Sequence, residues 1–509
     1  MENLEKYVSI VPTANQKAIE EMGFYVFAHF GMNTFTGLEW GDGKADPALF
    51  NPTNLDCNQW CSVIKKLGAK GIIATAKHHD GFCLWQTDTT DYCVKASPFR
   101  GGKGDVIQEL SEACAKSGLK LGIYLSPWDR HSEYYGTEKY NDFYCDQMTE
   151  LLTRYGDIFT IWLDGACGSF MDGKPMQKYD FARYYALARK LQPNCAISNC
   201  GPDVRWVGNE GGQCRQSEWN VVPRFGFDVQ AVMSNSQQTD AGKFEGKIDC
   251  ISEDLGSREV LKHFDEFIWY PAEVDVSVRP GWFFHENQNK KIKSVDKLLD
   301  IYYNSVGGNC MLLLNIPPDK SGQINQADVT VLQALGARID SAFATKIDAK
   351  ASETVVEEKL ENGEKLITYT TKYTFAAAKI DKAVIIEDID FSQRVEEFEL
   401  GTIVNGAYKT LRAGTVIGHK KIALFDEITT DNLIFTIKRC RLEPHIRSFE
   451  IYLSDGQQPQ HSPFAKARKA ITKFFSKISY RIYVSNANKQ RAKKEKLAEK
   501  TASSANEKK

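Results

Sequence analysis

DVIQELSEACAKSGLKLGIYLSPWDRH, residues 105–131, carries the reading that decides the fold. Its first half repeats apolar residues at Val106, Ile107, Leu110, Ala113 and Cys114, the spacing of an amphipathic helix with one apolar face. Its second half, Leu119–Leu125, is a short apolar run too brief for a buried helix and right for a strand. That run ends abruptly in Trp128, Asp129 and His131. Helix, then strand, then a cluster of polar and aromatic side chains is one unit of an α/β protein.

The unit recurs on both sides. Apolar runs at Phe24–Phe30, Gly71–Ala76, Ile158–Leu163, Cys195–Ser198 and Cys310–Asn315 alternate with stretches of helical period, such as NLDCNQWCSVIKKLGA and YDFARYYALARKLQP. Strands alternating with helices predict a parallel sheet with right-handed crossovers, and at this length a closed (β/α) barrel over residues 1–336. Eight clean strands are not legible, and the irregular stretch 215–300 is expected to hold large loops. From about 353 to 455 the chain reads as strands with turns, including Asn-Gly at 362–363 and 405–406, which predicts a small antiparallel β-sandwich.

The overall charge of −2 conceals an asymmetry. Residues 456–509 hold 14 Lys/Arg against 3 Glu, about +11 (14 − 3), so the remainder carries about −13 (−2 − 11). Phe464, Ile471, Phe474, Phe475, Ile478 and Ile482 stand at near-helical spacing in this basic tail, before a charged end expected to be disordered. Two readings of the tail stand: a helix docked on the acidic barrel, or an amphipathic helix touching an anionic membrane or a partner. Charge alone gives no support for nucleic-acid binding. The 13 cysteines form no pair or cluster with zinc spacing and read as reduced core residues. With no signal-like N-terminus and no run of about 18 apolar residues, a cytoplasmic protein is expected.

In a (β/α) barrel the chemistry lies at the C-terminal ends of the strands. His29, then Lys77, His78, His79 and Asp80, then Trp128, Asp129 and His131, then Trp162 and Asp164 all stand there, including four of the nine histidines. Aromatic platforms beside imidazoles and carboxylates suit a sugar. Asp164 is the sharpest single residue: a carboxylate directly after an apolar strand needs partners or a task, the alternative being a helix cap. Glu210, in the Gly-flanked RWVGNEGG, is a partner carboxyl on the same face, with Glu218 and Asp203 as rivals. His78, His79 and Asp80 are also raw material for a metal. Adjacent side chains on extended backbone point to opposite faces, which argues against that.

HFGMNTFTGLEWGDG, AKHHDGFCLW, IYLSPWDRH, WLDGA, RWVGNEGG and VSVRPGWFFH together resemble glycoside hydrolase family 29, the α-L-fucosidases, over roughly residues 20–320. The resemblance implies a barrel followed by a β-sandwich and a two-step retaining exo-α-L-fucosidase without metal or cofactor. Asp164 would be the nucleophile and Glu210 the general acid/base. Glu210 would have to start protonated, its pKa raised by ionised Asp164. The placement of Glu210, with EWGDG and VSVRPGW, is similar to the subgroup that removes α-1,3/1,4-linked fucose. Sugar contacts would fall on His29, Trp40, His78, His79, Trp162, Arg279 and Trp282, and the substrate would be a fucosylated oligosaccharide, imported if the enzyme is cytosolic. The competing readings are a fucose-glycan-binding protein without turnover and a different barrel hydrolase, such as a metal-dependent amidohydrolase using the His pair.

Overall fold

The computed structural model describes residues 4–168, 175–224, 254–359 and 365–457. The expected turn at 362–363 and the helical pattern of the tail lie outside these residues.

Two helix–strand units show how local sequence builds the barrel. Asp56 accepts from Gln59 N at 3.0 Å and starts the helix Cys57–Leu67. Asp105 does the same for Val106–Ser117 through Gln108 N at 2.8 Å. A carboxylate there satisfies an otherwise orphan N–H and suits the positive helix end. Each helix stops at a glycine in the left-handed region, Gly68 (φ 85°) and Gly118 (φ 75°), where a side chain would be strained. Each then drops into a strand, β2 (Gly71–Lys77) and β3 (Lys120–Leu125).

With β1 (Phe24–Ala28), β4 (Ile158–Leu163), β5 (Ala196–Asn199), β6 (Val204–Trp206), β9 (Ala272–Ser277) and β10 (Cys310–Asn315), these strands close a parallel barrel in the order β1-β10-β9-β6-β5-β4-β3-β2. The intervening β7 (Val221–Pro223) and β8 (Phe267–Trp269) pair with each other outside it. Closure is made by β1 against β10, Phe24 opposite Leu312. The expected barrel is present, and the strands missing from the sequence reading are β6 and β9. β6 has three residues, and no helix separates it from β5. β9, AEVDVS, lies inside the stretch expected to be loops. Ala272, Val274 and Val276 pack outward against the helical layer, whereas Glu273 and Asp275 are buried carboxyls. The interior core is aromatic, with Tyr25, Phe27, Tyr124 and Trp162.

The helix Gln326–Ala342 spans the expected boundary at 336 and leads to a six-stranded antiparallel sheet. Its strands are β11 (Lys350–Lys359), β12 (Lys365–Glu387), β13 (Val395–Val404), β14 (Ala407–Gly414), β15 (Lys421–Cys440) and β16 (Ile446–Leu453). The long strands β12 and β15 shift register between Thr374 and Ala378, and β12 carries β11 on its first half and β16 on its second, around Ile380, Phe398, Phe435 and Phe449. Asn405 and Gly406, at φ 52° and 77°, form the expected tight turn between β13 and β14.

The sheet docks under the barrel, at the start of β10. Asn309 N donates to Lys420 O (3.1 Å), Asn309 Oδ1 accepts from His419 N (2.7 Å), and Ile422 N donates to Gly307 O (3.0 Å). The strands finish at the opposite end.

Candidate active site

Asp164 follows β4 directly. Its Oδ2 accepts from the Tyr124 hydroxyl at 2.8 Å and its Oδ1 from Ala166 N at 2.8 Å. Residues 164–168 are not helical, so Asp164 caps no helix in this segment. Burial and the Asp164 charge push the Tyr124 phenol well above its ordinary pKa, so it remains a hydrogen-bond donor.

Three histidines line the same rim. His79 Nε2 lies 4.0 Å from Asp164 Oδ2, and its Nδ1 is 2.7 Å from Ser126 Oγ. Ser126 donates to Trp128 O at 2.8 Å, so its oxygen accepts from His79 Nδ1–H. His78 stands against His79, ring centroids 4.1 Å apart. Its Nδ1 faces the Asn33 amide nitrogen at 3.2 Å and therefore accepts, which leaves the proton on Nε2. His29 Nδ1 is 2.8 Å from Asn315 Oδ1, while Asn315 Nδ2 donates to Ser277 Oγ and to Trp282 O. His29 Nδ1 is thus the donor and its Nε2 a bare acceptor. Burial lowers His29 to about 3 and holds His78 well below the usual imidazole range, so both are neutral at working pH. His29 and His78 consequently offer hydroxyl groups an acceptor and a donor without positive charge of their own.

The circuit continues to the second carboxyl. The Trp282 ring lies 5.0 Å from that of His29, and its Nε1 donates to Glu210 Oε2 at 3.3 Å. Glu210 is exposed on the loop after β6. Trp162 stacks on Tyr124 at 5.5 Å and donates Nε1 to Glu273 Oε1 at 2.6 Å. Trp40 is 43% exposed, on a loop whose neighbouring Glu39 accepts from Trp282 N at 2.8 Å. Side chains thus run in contact from Asp164 through His79, His78, His29 and Trp282 to Glu210, with Trp162 beneath.

Arg279 is a correction. Expected at the sugar, it has no exposed surface: its guanidinium forks onto Asp328 at 2.8–3.0 Å and lies over the Phe284 ring. It fastens the segment bearing Trp282 to the last barrel helix and offers a ligand nothing directly. The rivals of Glu210 are structural as well. Glu218 is fully buried between Arg205 and Arg215; burial pushes its carboxyl up, but the two guanidiniums outweigh that and hold it below the usual range. Asp203 is paired with Arg189 and accepts from Ile197 N at 2.7 Å. Lys77 and Asp129 spend themselves on a buried ion pair at 2.9 Å.

Tyr124, Glu39, Asn315, Glu273 and Asp275 complete the site and were not singled out from the sequence. The alternation of Gly122 and Tyr124 along β3 was the available signal for Tyr124. Glu273 accepts from both Tyr25 and Trp162, and burial raises it to about 7. Asp275 accepts from Trp206 Nε1 at 2.8 Å; burial, then the charge of Glu210, raise it strongly.

Known proteins resemble the whole arrangement. The family model described as Alpha-L-fucosidase matches residues 15–341. Alpha-L-fucosidase 1 of Arabidopsis thaliana is 38% identical over 471 residues, 87% of each chain. A Bacteroides ovatus α-L-fucosidase candidate superposes with a TM-score of 0.81 at 40% identity, over 91% of this chain and 78% of that one. A Ruminococcus gnavus GH29 fucosidase solved with fucose gives 0.73 at 28% identity, over 88% and 96%.

Proposed function

Because this chain belongs to the α-L-fucosidases of glycoside hydrolase family 29, we propose that it is a retaining exo-enzyme with Asp164 as nucleophile and Glu210 as general acid/base. The chain is an α-L-fucosidase; the retaining course and the roles of the two carboxyls are our reading of its residues.

The observation that carries the reading is the setting of Asp164. Each of its oxygens takes one hydrogen bond, His79 Nε2 stands 4.0 Å away, and no Lys or Arg pairs with the carboxylate among the described residues. Such a group keeps lone pairs for an electrophile. In the first step a carboxylate oxygen attacks the anomeric carbon, the bond to the aglycone oxygen breaks, and that oxygen takes the proton of Glu210. In the second, water attacks the same carbon as its proton passes to Glu210, and Asp164 leaves as carboxylate. Two inversions return the starting configuration. His29 Nε2 and His79 Nε2 accept from sugar hydroxyls, His78 Nε2–H donates to one, and Trp162 and Trp282 pack against the apolar C–H face and the methyl group.

The preferred substrate in this reading is terminal α-1,3/1,4-linked fucose on an oligosaccharide, and its site of action is the cytoplasm. The placement of Glu210 and the EWGDG and VSVRPGW segments support the linkage. The thiol state of all 12 described cysteines supports a reducing compartment.

Proton NMR during hydrolysis of an aryl α-L-fucoside should show α-fucose as the first product, with the β anomer growing in later. Initial β-fucose would overturn the retaining mechanism. Glu210→Ala should slow a methyl or glycan fucoside by about 10²–10⁴-fold and spare one with a strongly acidic phenol leaving group; equal losses would move the acid elsewhere. Trisaccharides of defined α-1,2, α-1,3 and α-1,4 linkage test the preference, and cell fractionation the compartment.

A further inference from the structure

Asp80 ends the Lys77–Asp80 run at the mouth, and the two-step mechanism does not use it. It is 2% exposed. Its Oδ1 accepts from Phe82 N at 2.9 Å, whereas its Oδ2 is buried with no hydrogen-bond partner among the described residues. A second buried oxygen in the same condition is Asn33 Oδ1. Both crowd one face of Gly41: a Cβ there would stand 2.5 Å from Asn33 Oδ1 and 3.4 Å from Asp80 Oδ2.

The orientation of the Asn33 amide is not free to change. Its nitrogen donates to Glu39 O at 3.0 Å and to His78 Nδ1 at 3.2 Å. Turning the amide over would set oxygen against the Glu39 carbonyl and take the donor from His78. Asn33 Oδ1 is therefore held on the side of Gly41 that Asp80 Oδ2 also borders, and two buried acceptors in so small a space repel unless one carries a proton.

We propose that Asp80 is a positioning residue that works with a proton on Oδ2, which satisfies Asn33 Oδ1 directly or across one water, fixes the Asn33 amide, and so keeps His78 as the Nε2–H tautomer that donates to the sugar. The proposal rests on the fucosidase reading for what His78 does, but not for the protonation of the Asp80–Asn33 pair. Burial, the largest influence, and then Asp129 push the Asp80 carboxyl up to about 7, against the Phe82 N–H, Lys77 and Arg130. Tyr92 also faces it, its phenol raised by burial and by the Asp80 charge, and its hydroxyl is likewise buried with no hydrogen-bond partner among the described residues. Neutral His78 lies on the far side of Asn33.

Two measurements on the full chain test this. The first is inhibition of aryl-fucoside hydrolysis by free L-fucose from pH 6 to 9. The inhibition constant of the parent should rise about tenfold over that range, the worth of one hydrogen bond to a buried partner. Asp80→Asn, whose amide donates at every pH, should hold the pH 6 affinity throughout, so that at pH 9 it differs from the parent in KM more than in kcat. A constant that is flat in the parent, or a rise in Asp80→Asn as steep as in the parent, would overturn the proposal. The second needs no sugar. In protein labelled with ¹⁵N-histidine, His78 should be the Nε2–H tautomer at pH 6 in both chains; a protonated Nδ1 in the parent would overturn the proposal. If fucose fails to bind while the tautomer is as stated, the fucosidase reading fails and the role of Asp80 stands.

Discussion

The two ends of the barrel bury comparable polar groups to opposite purpose. At the floor, Asn309 gives Nδ2 to Glu218 O and Asn220 Oδ1, takes His419 N on Oδ1, and donates its own N–H to Lys420 O. Glu20 accepts from Asn220 and from Trp269 Nε1. The groups there satisfy one another, and the result is a joint between barrel and sheet. At the mouth, His29 and His78 each spend only Nδ1 on a protein hydrogen bond, His79 sets Nδ1 on Ser126 and Nε2 4.0 Å from Asp164, and Asp164 has taken one hydrogen bond per oxygen. Buried polarity with every valence matched holds a fold together; buried polarity with one valence held back serves a ligand.

The contrast breaks first at Asp164. Asp164→Ala should lower kcat on the order of 10⁴-fold or more while the melting temperature changes little, both read from one preparation; retained turnover would remove Asp164 from the mechanism. Arg279 stands physically at the mouth but is wired like the floor. Arg279→Met should cost about 3–5 kcal/mol, because Asp328 stays buried without its partner. It should also raise KM several-fold as the Trp282 segment loosens; denaturant titration and steady-state kinetics measure the two. Asn309→Ala should cost about 1–3 kcal/mol by the same titration, from acceptors and donors left unmatched, with kcat/KM unchanged well below the transition.

The smallest effect is in pH. Burial drops His29 to about 3 and His419 to about 4, so below 6.5 the unfolded chain binds protons that the folded chain refuses, and stability rises with pH. Burial lifts Glu20 to about 8 and Glu273 and Asp80 to about 7, so from about pH 4 upward the folded chain keeps protons that the unfolded chain has released, and stability falls with pH. The two trends oppose each other up to 6.5, where the histidines fall silent. Between pH 6.5 and 8 only the acids act, and the melting temperature should fall by about 2–5 °C. A rise over that interval would mean that these acids are ionised in the fold.

Much of this was legible in the residues. Apolar runs, among them those ending in His29, His78–His79 and Asp164, located six of the eight barrel strands and the face that carries the chemistry, because a strand buried on both sides advertises itself as continuous hydrophobicity. β9 was not, since Glu273 and Asp275 face a barrel interior while the alternation around them looks like that of a solvent-facing strand. β6 is too short for any period. Arg279 was misassigned because a strand-end arginine reads the same whether it meets a sugar or a buried aspartate. Only the neighbour, Asp328, 49 residues on, separates the cases.

The last described residue lies beside the floor: Gln457 O accepts from Arg338, near the end of the last barrel helix that lies farthest from the mouth. A linker grafted at Gln457 would tether the enzyme to a resin, a surface or a second protein by its back. The glycan entrance would then face open solution, so immobilisation from that point should cost little in accessible turnover.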